Sequence, residues 1–454
     1  MRQSRNHYSM RKTLVMLGTC HLALVILLHN VTAFAPDENA YLAVFRNLYD
    51  PDFSLEGYVG WTGGSVSALR VIYAPAKIIN IIGVSDLFSI RLLASGYFLV
   101  TAYLLIKMCS DIQIFKVSTK KWITAAFFIP TLLLWTSLGL RESFIYFFLV
   151  SVLYLIKRYI ASCSSGYLFL LFVAACGLVI CKFYLYAILL GSLVLTSLIL
   201  SIQSKRFQKQ HILILIVYLV PLLIVPYRAE MTVSSATEFV SSIVDPTEAP
   251  TEAPTEAPTE APTEAPSQVD NVKSRGQTLH DLNAQLGKNR ILQFVMDKTG
   301  LSQVLNESSM AAVLPADSPK VIADQERLRV QPASRNDPVS LFTNLLSFIF
   351  VPLPFFDNGS FFLNIQSYES FVWYPLYLSY FLIIWRLLKG HFEATFHQLA
   401  AAIFGLGFVL LSSLAEINVG TSVRHRSILL VIILFTIASA RKSNRMKDLE
   451  GSLD

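Results

Sequence analysis

Charged side chains are scarce in this chain: they make up 15% of 454 residues, against 54% hydrophobic. One soluble core cannot bury so much apolar material, which excludes an ordinary globular domain. The five cysteines, Cys20, Cys109, Cys163, Cys176 and Cys181, lie in or beside apolar runs and form no CxxC pair, so neither a disulfide framework nor a cysteine metal site is expected. The sequence has no Gly-x-x-x-x-Gly-Lys-Ser/Thr loop, no HExxH and no GxSxG, which sets aside ATP binding, zinc-peptidase and serine-hydrolase chemistry of those kinds. No apolar run carries the paired acids of an ion-coupled pump. The formal charge of +6 reads as loop bias, and no nucleic-acid partner is expected.

What the chain does have is apolar runs, and its mean hydropathy is +0.52. The runs are continuous and about 17 to 22 residues long instead of alternating, so the expected fold class is all-α, a polytopic transmembrane helical bundle and not a barrel. About ten spans are expected, near 14 to 34, 87 to 107, 122 to 139, 143 to 157, 165 to 181, 184 to 202, 211 to 227, 371 to 388, 396 to 414 and 427 to 440. The basic start with Arg2, Arg5, Arg11 and Lys12 lacks a small-residue cleavage site, so the first run is expected to stay as a helix. With the N-terminus in the cytoplasm, every cytoplasmic end is basic: Lys107, Lys116, Lys120 and Lys121, then Lys157 and Arg158, Lys205, Arg206 and Lys209, Arg386 and Lys389, and finally Arg441, Lys442, Arg445 and Lys447. The positive-inside rule asks for this pattern, and both termini are then cytoplasmic in an inner-membrane protein.

Four regions follow. Residues 1–227 form an N-terminal membrane region whose first external loop, 35–86, is amphipathic in places and suggests short helices on the bilayer surface. Residues 228–340 form a second external segment. Five Thr-Glu-Ala-Pro units from Thr247 to Pro266 cannot bury apolar surface and read as a disordered spacer. Residues 341–440 begin with a stretch split by Pro352, Pro354 and Asp357-Asn358-Gly359, read as an interfacial or re-entrant hairpin, and continue into the last spans. Residues 441–454 are a cytoplasmic tail.

The remaining charges near membrane depth are the candidates for chemistry. Asp37 and Glu38 follow the first span, Arg141 and Glu142 occupy a tight turn, Lys182 divides an apolar run from 167 to 200, and Glu416, Asn418, Arg424, His425 and Arg426 lie between the last two spans. All fall on the external side, where orientation does not call for Arg or Lys. The pattern suggests a pocket with acids on one wall and cations on another. Arginine forks suit phosphate, and a carboxylate opposite can take a proton from an acceptor hydroxyl. Each residue also has a plainer use. Arg141 and Glu142 can pair with each other, Lys182 can snorkel, the arginines can hold lipid headgroups, and the acid pair can cap a helix.

The arrangement resembles the GT-C class of integral-membrane glycosyltransferases. It is carried by an acid just past the first span, a first external loop with surface helices, many spans and a large late external segment. The stretches Ser137-Leu-Gly-Leu-Arg-Glu-Ser143, Phe348-Ile-Phe-Val-Pro-Leu-Pro354, Tyr368-Glu369-Ser370 and Glu416 to Arg426 are also similar to bacterial membrane proteins near that class or near O-antigen polymerases. The resemblance implies a hexosyltransferase-like enzyme of cell-envelope polysaccharide synthesis, using a sugar linked to polyprenyl phosphate or pyrophosphate. Asp37 would be the catalytic acid, with Glu38 as its support, its alternative or the ligand of a divalent metal. Arg424 and Arg426 would hold the carrier phosphate, joined by Lys182, Arg141 and His425, with Glu142, Glu369, Glu416 and Asn418 in support. GT-C members often carry Asp-x-Asp or Glu-x-Asp, whereas Asp37 and Glu38 are adjacent. The alternatives are an O-antigen-type polymerase, in which the arginines do the main work, and a non-enzymatic transporter of a lipid-linked saccharide.

Overall fold

A computed structural model describes residues 2–28, 36–50, 53, 66–110, 123–205, 208–224, 342, 345–346, 348–350, 361–389, 395–415 and 419–439. The spacer at 247–266, the rest of 228–340, most of the 341–360 stretch, Glu416, Asn418 and the tail from 441 lie outside the described residues.

Every described element is helical. In chain order these are α1 (Arg2–Leu27), α2 (Pro36–Arg46), α3 (Val66–Tyr73), α4 (Ala76–Asn80), α5 (Asp86–Ser110), α6 (Pro130–Ser137), α7 (Glu142–Ser162), α8 (Ser165–Cys181), α9 (Phe183–Ser204), α10 (Lys209–Ile224), α11 (Phe361–Leu388), α12 (Phe396–Ala415) and α13 (Val419–Ser439). The chain divides into two compact units. One contains Met1–Val233, Phe371–Ser413 and Val423–Asp454; the other contains Ser234–Ser370 and Leu414–Ser422.

Among the described residues six helices are long and apolar enough to cross a membrane: Met10–Leu27, Asp86–Met108, Glu142–Ser162, Phe183–Ser204, Gln366–Leu388 and Phe396–Ser413. Two further apolar helices, Ser165–Cys181 and Lys209–Leu223, are shorter. Six of the about ten expected spans are thus found among the described residues, and two of the others differ for local reasons. The run at 122–139 is interrupted by a turn at Phe127 and Phe128, and Pro130 starts a new helix of 8 residues, a position that suits proline because it lacks a backbone N–H. The last helix starts at Val419, well before 427, so Arg424, His425 and Arg426 stand in its first turns and not in a loop.

In the first unit α7 packs against α5 and α8, α5 against α1, and α8 against α9 and α10. The α5–α7 seam is aromatic: Tyr97 meets Phe144 at 4.7 Å and Phe147 at 4.9 Å between centroids, and Phe98 lies edge-on to Tyr146. Helices α7 and α8 meet at Gly177, where an added Cβ would overlap the Phe148 ring. Outward-facing Val15, Leu22, Ile26, Phe169, Leu195, Leu198, Leu378 and Trp385 are exposed, an apolar exterior that a soluble protein would hide. Helices α2, α3 and α4 are too short to span. Helix α2 packs on α5 and α3, α4 on α5, and α3 on α2 and α8, burying Ile72 and Tyr73 while Val71, Ile78, Ile81 and Ile82 are exposed.

Two breaks matter for the site. Lys182 adopts extended backbone (φ −161, ψ 96) and ends α8 as it begins α9, so the apolar run turns at its one charged residue. After Ser137 the chain is extended at Leu138 and passes Gly139 before Glu142 opens α7, where an acid complements the helix dipole.

Candidate functional site

Because consecutive long helices alternate in direction, the C-termini of α1, α6 and α8 and the N-termini of α2, α5, α7 and α9 fall at one end of the first unit, where Arg424 and His425 of α13 also make their contacts. Glu38, Arg141, Glu142, Lys182, Arg424 and His425 each meet a partner there.

The first grouping is a brace. Glu38, fully buried in the first turn of α2, accepts two hydrogen bonds from Arg91 of α5: Nε to Oε1 at 2.7 Å and Nη2 to Oε2 at 2.8 Å. The side chains are 1% and 0% exposed. The Gly139 backbone N–H donates to Oε1 at 2.9 Å, and Arg91 also donates to the Leu28 carbonyl. Tyr73 of α3 donates to the Gly139 carbonyl at 2.7 Å. Burial raises the Tyr73 phenol well above its ordinary range, with the Tyr41 ring adding to the effect, so it acts as a neutral donor. One acid thus ties α2 to α5 and to the α6–α7 turn. Arg91 already holds the place that a metal cation would take against Glu38.

The second grouping surrounds Glu142. Arg424 Nε lies 2.5 Å from Glu142 Oε1, across 282 residues of sequence. Arg141 and Lys182 also lie close enough to act electrostatically on this carboxylate. Lys182 Nζ is 2.6 Å from His425 Nε2; a charged lysine can only donate, so Nε2 accepts and the ring proton sits on Nδ1. Aromatic rings line these cations. Arg141 is 5.5 Å from the Tyr41 centroid, Arg424 is 6.0 Å from that of Trp135, and Lys182 is 5.0 Å from that of Tyr184. Among the described side chains, Arg424 pairs with this buried carboxylate, Arg141 precedes it in the chain, and Lys182 reaches His425, the neighbour of Arg424.

Helical rotation of about 100° per residue explains why the neighbours on α13 part company. Arg424 and Ser427, three apart, both face α7, where Ser427 pairs with the Tyr146 hydroxyl. His425 faces Lys182 and Tyr184. Arg426 is buried near Tyr377 of α11. The two-arginine clamp expected from sequence is therefore split, with Arg424 in the Glu142 grouping and Arg426 on another face.

Asp37 stands in the first turn of α2, one helical turn before Tyr41; its side chain lies outside the described residues. Glu369 is buried on α11 within the second unit. Sequence reasoning passed over Arg91, although a charge five residues into an apolar run is itself a signal. It also passed over Trp135 and Tyr41, whose partners are distant in sequence. Among the described residues no group of three or more His, Cys, Asp or Glu could hold a metal ion. The chain matches no protein-family model and no curated protein.

Proposed function

We propose that the protein is an integral-membrane glycosyltransferase of cell-envelope polysaccharide synthesis, taking sugar from a polyprenyl-phosphate carrier at the non-cytoplasmic face. The observation that carries this reading is the Arg424–Glu142 pair with Arg141 and Lys182 at the same end of the first unit, the end opposite Lys107, Lys157, Arg158 and Lys205. The positive-inside rule assigns that second set to the cytoplasm, so the Glu142 grouping belongs to the other side. Cations kept there need a different reason, and a phosphate at headgroup depth supplies one. The exposed apolar residues of α3 and α4 suit a position in the bilayer interface beside the site.

In the proposed reaction an acceptor hydroxyl oxygen attacks the anomeric carbon of the donor. The bond from that carbon to the phosphate oxygen breaks, and its electron pair leaves on the carrier phosphate, which the cations stabilise. The hydroxyl proton passes to a carboxylate, a role given to Asp37. Glu38, through Arg91, fixes the helix that presents Asp37.

The occupation of Glu38 by Arg91 favours a second version of the same chemistry: an O-antigen-type polymerase, with the cations central and the acid pair secondary. Asp37→Asn and Arg424→Ala in a strain displaying a surface glycan test both. A transferase loses the glycan in either variant. A polymerase keeps single repeats and loses chain length, chiefly in Arg424→Ala. Glycan of unchanged length and amount, with both proteins inserted, would overturn the proposal.

A further inference from the structure

The first external loop holds Gly139 by both polar groups of its backbone. The N–H donates to Glu38 of α2 at 2.9 Å, and the carbonyl accepts from Tyr73 of α3 at 2.7 Å. Two residues on, the Arg141 guanidinium lies 5.5 Å from the centroid of the Tyr41 ring on α2. Gly139 also sits so close to α5 that an added Cβ would come within 2.7 Å of Ile90. The turn thus has no side chain of its own at its centre, and the loop supplies the grip. A shift of Gly139 moves Arg141 and Glu142, which cap and open α7, and with them the Glu142–Arg424 pair.

The three loop helices are tied to one another. The rings of Tyr41 and Tyr73 meet at 5.7 Å, Arg70 of α3 donates to the Asp50 carbonyl beyond α2, and Lys77 Nζ of α4 stands 4.2 Å from the centroid of Phe45 on α2. Backbone bonds carry α3 into α4, from the Ala74 N–H to the Arg70 carbonyl at 2.8 Å and from the Lys77 N–H to the Ala74 carbonyl at 3.0 Å. The other face of this piece is apolar: Val71, Ile78, Ile81 and Ile82 are between 62% and 82% exposed. Ile82 comes four residues before Asp86, where the α5 span opens. At about 3.5 Å per residue it stands within about 14 Å of the end of that span, where the acyl chains of a lipid leaflet are the apolar partner at hand.

We infer that α2, α3 and α4 form a strap that links a lipid leaflet to the charged turn. Val71, Ile78, Ile81 and Ile82 seat α3 and α4 in the leaflet, and the grip of Glu38 and Tyr73 on Gly139 passes their position to Arg141 and Glu142. Coupling of this kind needs one connected element with contacts at both ends, which the strap provides. The inference goes beyond the proposed function and requires no transfer activity.

The test is amide hydrogen exchange, read by mass spectrometry on the full chain in phosphatidylcholine nanodiscs, over the segments 66–82 and 138–146. Ile81→Ser/Ile82→Ser alters the outer face alone. It should speed exchange in both segments by about tenfold, the worth of one isoleucine side chain withdrawn from apolar surroundings. Ile81→Leu/Ile82→Leu keeps the apolar surface and should exchange as the wild type does. Tyr73→Phe loosens the grip from the inside. In that background the serine pair should still act in full on 66–82, while its effect on 138–146 falls to about threefold or less, because the two changes act on one linkage. A rise confined to 66–82, no rise in either segment, an undiminished effect on 138–146 in the Tyr73→Phe background, or an equal rise across α12 would each overturn the inference. Exchange is read without substrate, so an Asp37→Asn variant that keeps transfer refutes the catalytic reading and leaves this one standing.

Discussion

Replacing Glu38 with leucine removes the acid from the brace that joins α2, α5 and the α6–α7 turn. Arg91 then keeps a charge at a side-chain exposure of 0% without the two hydrogen bonds at 2.7 and 2.8 Å that compensate it. Gly139 also loses the acceptor of its N–H. Breaking a buried pair from one side costs about 3–5 kcal/mol, because the surviving charge stays desolvated. Arg91→Met should cost a similar amount from the other side. The double variant Glu38→Leu/Arg91→Met leaves no stranded charge. It retains the cost of two bare backbone groups, at Gly139 and Leu28, of about 1–3 kcal/mol each. The double variant should therefore be more stable than either single one. Thermal unfolding of the purified protein in detergent, followed by helical circular dichroism, measures the cycle. Single variants within about 0.5 kcal/mol of the wild type, or a double variant whose loss equals the sum of the singles, would refute the reasoning.

Three simpler changes bear on the same architecture. Gly177→Val drives a side chain into the Phe148 ring and should lower stability by about 1–3 kcal/mol, whereas Gly191→Ala, with nothing within 4 Å of the new Cβ, should be neutral or stabilise α9 by up to about 1 kcal/mol; thermal unfolding compares them. Tyr73→Phe loses the bond to the Gly139 carbonyl, at about 0.5–1.5 kcal/mol. Because burial raises the Tyr73 phenol, its contribution is constant below the ordinary tyrosine value of about 10 and declines as pH rises above it, since only the unfolded chain then ionises readily. A wild-type minus Tyr73→Phe stability difference that grew with pH in that range would contradict this.

The parts of the fold legible in the sequence were those where one residue breaks an apolar pattern. Lys182 divides 167–200 where expected, and Glu142 opens α7 beside Arg141. The boundary near 122–139 misled because hydropathy counts Phe127, Phe128 and Pro130 alike as compatible with a span, while the backbone turns there. The site was legible as a set of charges sharing one end of the bundle, because helix alternation follows from span order alone. The pairing was not. The acid pair Asp37 and Glu38 was expected to face the arginines across a pocket, but Glu38 is held by Arg91 and Arg424 by Glu142, choices set by helix rotation and side-chain reach. Arg424 and Arg426 looked equivalent as neighbours in a loop. On a helix two residues apart is more than half a turn, and that separates them.

The central claim is that Arg141, Glu142, Lys182 and Arg424 form one site facing the non-cytoplasmic side. Two single-cysteine proteins test it in intact cells with a membrane-impermeant maleimide. One keeps Cys163, exposed at the opposite end of the bundle, and the other carries Tyr184→Cys, at a position 39% exposed beside Lys182. The account predicts labelling of Tyr184→Cys in intact cells and of Cys163 only after permeabilisation. The reverse order would place the cations in the cytoplasm and contradict the account.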